Sequence, residues 1–179
     1  MAGFFRRRGK HEHAAYHLYG SAVAAARDPY LYATLGLPDT LDGRFDAICL
    51  HVYLLIRRLN HDNPAGAEMA QAVFDAMFHD MDINLREMGV GDMSVGKRNR
   101  KMWEAFHGRS AAYAAAWDDT DALAAAIGRN FWRGAEPPAA SPAILVRLVR
   151  AQFAALLAQS ATTIMAGTVQ FLPAEEATR

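Results

Sequence analysis

Asp75, His79, Asp80 and Asp82 are donors that could ligate a metal ion, and they lie within one short stretch. If that stretch is helical, Asp75 and His79 are neighbours at a four-residue spacing, and Asp82 follows within a turn. A divalent cation is the chemistry that such a group supports. The pattern stops short of a site. No Glu-x-x-His or His-Glu-x-x-His pair accompanies it, and no second helix offers a matching ligand set. Aspartate and histidine on an amphipathic helix usually face water or pair locally, as Asp82 can with Arg86. Cys49 lies in an apolar run, where a thiol is normally inert. His51, in the same run, reads first as a hydrogen-bonded core histidine and only second as a ligand or base. Gly89-Val90-Gly91 looks like a fragment of a phosphate loop, but it follows a helix rather than a strand. No catalytic pattern emerges, and no cofactor is expected.

The elements that carry these residues read as helices throughout. Over 65–88, Met69, Val73, Phe74, Met77, Phe78, Met81, Leu85 and Met88 recur at three- and four-residue steps, the signature of one buried face. Gly89 then stands where a helix end needs positive φ, with Val90 placed to meet Leu85 across a Schellman cap. Residues 13–27 form a first helix, stopped by Asp28-Pro29, which also starts a short second one. Residues 37–44 read as a loop with a turn at Asp42-Gly43, and 45–59 as a helix apolar almost all round, suited to the centre of a bundle. Residues 60–64 connect it to the long helix. Further helices are expected at 94–106, 110–117, 120–132 and 141–157, with Gly108-Arg109 as a break and 134–141 as the longest loop. Residues 162–172 fit either helix or extended chain. The expectation is an all-α, single-domain, irregular bundle of about seven to eight helices over residues 13–172. A flexible basic arm (1–12) precedes it, and a frayed tail (173–179) follows.

With 179 residues and one cysteine, the chain buries an ample core and has no internal disulfide. Nineteen basic residues balance nineteen acidic ones, but unevenly along the chain. Arg6, Arg7, Arg8 and Lys10 crowd the N-terminus, and Lys97, Arg98, Arg100 and Lys101 form a second cluster. Segregated charge on a neutral chain favours defined protein or membrane-surface contacts over bulk nucleic-acid binding, and no DNA partner is expected. Residues 47–56 are too short to span a bilayer, and 144–157 are interrupted by Arg147 and Arg150. No secretory signal is expected at the N-terminus. Partner surfaces are the remaining candidates. Arg86, Glu87 and Asp92 flank the capped end of the long helix, Lys97, Arg98 and Lys101 follow, and Arg44 and Arg109 each stand beside a glycine in what reads as a loop. The alternative for each is a charge that ties a loop to a helix end inside the domain.

Several short words stand in a fixed order: Leu35-Gly36-Leu37-Pro38-Asp39-Thr40, Asp42-Gly43-Arg44-Phe45-Asp46, Leu50-His51-Val52, Phe74-Asp75-Ala76-Met77-Phe78, Leu85-Arg86-Glu87-Met88-Gly89-Val90-Gly91-Asp92, Phe106-His107-Gly108-Arg109 with Tyr113, and Arg129-Asn130. Through them the chain resembles a bacterial member of the ubiquinol–cytochrome c chaperone family, over roughly residues 16–157. His107 stands where a tyrosine is expected in relatives. The resemblance implies a non-catalytic assembly factor of respiratory complex III that binds newly made cytochrome b at the cytoplasmic face of the inner membrane. It also implies a small partner protein and contact with the ribosome exit region. The readings from other classes are a metal- or haem-handling helical enzyme built on Asp75, His79 and Asp82, and a general ribosome or membrane adaptor acting through the basic residues.

Overall fold

A few polar side chains decide where the helices begin. Asp28 accepts a hydrogen bond from the Tyr30 backbone N–H at 2.9 Å and so opens the second helix directly after the first. Thr40 does the same for the third: its Oγ1 accepts from the Gly43 N–H at 3.1 Å, and its carbonyl accepts from the Arg44 N–H at 2.9 Å. Asp119 caps the sixth through the N–H groups of Asp121 and Ala122.

In the computed structural model, the described backbone comprises residues 2–62, 64–138 and 140–179, and side chains are described from residue 11 onward except around residues 62–65 and at 139. The helices are α1 (Ala2–Ala26), α2 (Pro29–Ala33), α3 (Leu41–Asp62), α4 (Pro64–Glu87), α5 (Asp92–Ala115), α6 (Thr120–Trp132), α7 (Ser141–Ala158), α8 (Ala161–Met165) and α9 (Ala174–Ala177). Six are long and three are single-turn pieces; the described residues contain no strand. The architecture is all-α and single-domain. The apolar helix α3 is its axis and packs against α1, α4, α5, α6 and α7. Ala47, Val52, Leu54 and Leu55 of α3 are completely or almost completely buried. Met69, Val73 and Met77 of α4 meet the same core, so the periodicity of that helix is a packing signal.

Four features differ from the sequence reading. First, α1 begins at Ala2 rather than His13, so its backbone takes in the basic stretch; the side chains of residues 1–10 lie outside the described residues. Second, Asp42-Gly43 is no turn but the first turn of α3. A Cβ on Gly43 would stand 1.9 Å from the Pro38 carbonyl oxygen, so the glycine serves the close approach of the incoming chain. Third, α5 runs unbroken through Gly108-Arg109. A Cβ on Gly108 would meet nothing within 4 Å, so this is an open position on the helix surface, and one glycine weakens a helix by only about 1 kcal/mol.

Fourth, the C-terminal residues are packed as a strap. Gln152 of α7 donates its Nε2–H to the Leu172 carbonyl at 2.7 Å and accepts the Leu172 N–H at 2.9 Å. Gln159 grips both backbone groups of Gln170 in the same way. Asp28 accepts from the Ala174 N–H at 2.8 Å, so the carboxylate that caps α2 also holds the start of α9. Ala174 and Ala177 are buried. These long-range partners are what a local reading of residues 173–179 as a tail lacks.

Among the described residues, α7 is long and apolar enough by length and composition to cross a membrane, at a mean hydropathy of 1.4 over Ser141–Ala158, despite Arg147 and Arg150. In this fold its Leu145, Val146, Leu148, Val149 and Leu156 are buried. Arg58 of α3 closes its C-terminal end by donating to the carbonyls of Leu156 and Gln159 at 2.8 and 3.0 Å.

Candidate functional surface and the ion-paired centre

The capped end of α4 is built as a small ion-paired turn. Gly89 has φ +78°. The Val90 N–H donates to the Leu85 carbonyl at 3.0 Å and the Gly89 N–H to the Arg86 carbonyl at 2.9 Å, which is the Schellman pattern. Arg86 donates to Asp82 at 2.6 Å on its own helix and to Asp92 at the start of α5. Its guanidinium holds the Asp82 carboxyl below the ordinary carboxylate range. Asn99 of α5 donates to the other Asp82 oxygen at 2.8 Å, so α4 and α5 are locked antiparallel around this turn. Glu87 is exposed beside it.

From here α5 carries an exposed basic side. Lys97, Arg98 and Lys101 are all exposed and enter no ion pair among the described residues, whereas Arg100 pairs with Glu104 at 3.0 Å. Met88 and Met93 flank the turn and are 52% and 98% exposed. The turn, the basic side and the two methionines therefore form one end of the molecule. Arg44 lies elsewhere. It sits in the first turn of α3, paired with Asp39 at 2.6 Å, on a groove of about 590 Å³ that Arg27, Pro29, Tyr32 and Ala33 also line.

Arg109 is a correction. It is in the middle of α5 rather than in a loop, and its side chain is only 12% exposed. It faces Asp46 of α3 at 2.5 Å, a carboxylate with no exposure at all. The second Asp46 oxygen takes Arg133 at 2.8 Å, and Arg133 also reaches Asp42 at 2.7 Å. Arg133 ends α6 in the left-handed region at φ 50°, a cost of about 1–2 kcal/mol for a non-glycine residue that the two ion pairs offset. Burial pushes the Asp46 carboxyl up, and the two guanidiniums pull it back. Tyr113 is buried close to the same charges, and burial raises its hydroxyl above the ordinary range. Three helices thus meet on one carboxylate. Sequence reading passed over Asp46 and Arg133. A signal for Asp46 existed, since a carboxylate in a helix apolar on every side requires a partner. Arg133 had none, because its role depends on the left-handed end of α6.

The residues weighed for metal or acid–base chemistry are scattered or silent. Asp75 accepts from Gln71 at 2.8 Å, His79 packs edge-on to Tyr16, and Asp82 belongs to Arg86 and Asn99. No group of three or more His, Cys, Asp or Glu side chains able to hold a metal ion occurs among the described residues. His51 is buried. Its Nδ1 lies 2.8 Å from the Ala47 carbonyl; a carbonyl only accepts, so Nδ1 carries the proton, and burial holds the ring neutral by lowering its pKa. Cys49 is buried, and burial drives its thiol pKa up, away from nucleophilic use.

Residues 33–171 match the profile of the family described as Ubiquinol-cytochrome C chaperone. The chain belongs to that family. Its described fold superposes on a crystal structure of the Cbp3 homolog from Brucella abortus with a TM-score of 0.83 and 36% identity, covering 98% of each chain. It is 28% identical over 118 residues to ubiquinol-cytochrome-c reductase complex assembly factor 1 of Xenopus laevis, which is 65% of this chain and 59% of the relative. Against assembly factor 1 of Mus musculus it is 26% identical over 165 residues, 91% of this chain and 56% of the relative. The chain thus spans somewhat more than half the length of these curated relatives. Within this chaperone-family chain, the words that carry the resemblance come together in space. Asp46, Arg109 and Tyr113 belong to segments far apart in sequence but meet at the ion-paired centre, and the eight residues from Leu85 to Asp92 form the capped turn.

Proposed function

We propose that this chain is an assembly chaperone of the ubiquinol–cytochrome c reductase complex, and that it acts without catalysis by binding newly made cytochrome b at the cytoplasmic face of the inner membrane. The observation that carries this reading is the match to the bacterial Cbp3 homolog over 98% of both chains, alongside assembly factors as sequence relatives. His51 and Cys49 are buried, with the His51 ring held neutral and the Cys49 thiol held protonated, so neither is placed as a base or nucleophile, and this supports a binding role. The partner surface in this reading is the exposed end formed by Arg86, Glu87, Asp92, Lys97, Arg98 and Lys101, with Arg44 on its own groove. Arg109 is left out of it as an internal residue. A small partner protein and the ribosome exit region are further candidates for the same surface.

Deleting the gene in a host that makes complex III tests the role: assembled cytochrome b falls, and a normal level overturns the reading. Photo-crosslinkers placed at 44, 86, 97 and 101 in cells are expected to capture cytochrome b, while one at 109 captures none. The metal-handling alternative makes a different forecast, a stoichiometric ion in protein purified without chelator or affinity tag.

A further inference from the structure

We infer that the α4–α5 turn is a shallow lipid-contacting tip, with Met88 and Met93 entering the interfacial layer of an anionic membrane and Lys97, Arg98 and Lys101 meeting its headgroups. This rests on the reading of the chain as a factor for a membrane complex, and it adds a lipid contact beside the client contact on the proposed surface.

The geometry is that of an interfacial anchor. Met93 is the most exposed large apolar side chain among the described residues, and Met88 stands across the turn from it, half exposed. The two occupy the end of an antiparallel helix pair, where the backbone turns at Gly89 and Gly91. A Cβ on either glycine would meet nothing within 4 Å, so nothing else in the described fold covers the turn. A convex end carrying two flexible apolar side chains fits a deformable apolar layer better than it fits a rigid groove.

The charges are layered behind the apolar end. At 1.5 Å per residue, Lys97 stands about 6 Å and Lys101 about 12 Å up α5 from Met93. That spacing places the cations at headgroup level when the methionines are buried by about 5–10 Å. Ion pairing sorts the remaining charges. Arg86 is taken up by Asp82 and Asp92, and Arg100 by Glu104. What stays free of ion pairs here, among the described residues, is three cations against Glu87. The tip is thus cationic on balance, and its complement is a negative surface. Glu87 opposes the contact and keeps it shallow.

The test uses the full-length protein and vesicles of phosphatidylcholine, alone or mixed with phosphatidylglycerol. Cys49 is buried, so a Met93→Cys variant takes an environment-sensitive dye at one place. On mixed vesicles the dye emission moves to the blue, and on neutral vesicles it does so weakly. Each basic residue near such a surface is worth roughly fivefold in partitioning, so Lys97→Gln, Arg98→Gln and Lys101→Gln together lower flotation by about 100-fold. Met88→Ser with Met93→Ser lowers it several-fold, and Glu87→Gln raises it several-fold. All are exposed positions, and unchanged melting curves confirm that the variants fold. Protein that floats while the dye at 93 stays in water overturns the inference, because another segment then carries the lipid. Absence of flotation overturns it too. So does a dye that is silent on vesicles but shifts when a detergent extract containing complex III is added, since the end is then a protein interface. Cytochrome b levels play no part in these readouts, so the lipid contact and the assembly role fail independently.

Discussion

Asp46 shows how much one side chain can hold. Arg109 and Arg133 both depend on it, and it joins α3, α5 and the end of α6. Asp46→Ala leaves Arg109 largely buried without a counter-charge and is expected to cost about 3–5 kcal/mol, read from denaturant melts. His51 governs a pH effect. Its folded-state pKa is depressed by burial, so the unfolded chain takes up the proton first on acidification. The stability it contributes is present above the ordinary value of about 6.5 and is lost as pH falls from there through the lower folded value. His51→Asn keeps an N–H donor for the Ala47 carbonyl and removes the titration. Melts across a pH series should therefore show a shallower acid slope for that variant than for the wild type. Asp82 and Asp39 act lower on the scale: held down by Arg86 and Arg44, they favour the fold above the ordinary carboxylate range and cease to as pH falls through their depressed values.

At the scale of elements, two of the exposed glycines in the α4–α5 pair, Gly108 and Gly89, behave oppositely. Gly108 lies inside α5 in open space, so Gly108→Ala should stabilise by about 0.5–1 kcal/mol. Gly89 also has open space, but its φ is +78°. Gly89→Ala should therefore destabilise by about 1 kcal/mol through the left-handed backbone alone. Denaturant midpoints of the two variants on either side of the wild type would establish both assignments. The strap depends on glutamines rather than on its own propensity. Gln152→Ala strips partners from both backbone groups of Leu172 and is expected to cost about 1–3 kcal/mol. Hydrogen exchange at the Leu172 amide would register it directly.

At the scale of the whole molecule, the fold separates a sealed interior from an open end. The core runs from α1 through α3 and α4 to α6 and α7, and the strap closes it through Val169, Ala174 and Ala177. Phe171 rests edge-on against His51, 5.5 Å between ring centres. Truncation after residue 167 uncovers that histidine and is expected to lower the melting temperature of the entire domain, with one shared transition in far-UV circular dichroism and tryptophan fluorescence. The α4–α5 end is built differently: Lys97, Arg98 and Lys101 enter no ion pair among the described residues, Met93 is almost fully exposed, and Met88 is half exposed. A folded chain leaves such groups outward at no gain to its own stability, which is why the partner surface is assigned there.

The body of each long helix was legible in the sequence, because a three- and four-residue recurrence of apolar side chains is a local property of the chain. Gly89 was legible for the same reason, since a helix end and its positive-φ residue are neighbours. The family was legible through the order of its words. Where a residue's partner lies far along the chain, local pattern was silent or misleading. Asp42-Gly43 reads as a turn until Pro38 is seen packed against the glycine, and Arg109 reads as a loop charge until Asp46 appears beneath it. Residues 173–179 read as a tail until α2 and α7 supply their contacts. Long-range pairing is a property of the folded surface as a whole. Only the tertiary structure decided which charges are neutralised inside the domain and which, like Lys97, Arg98 and Lys101, are left to meet something else.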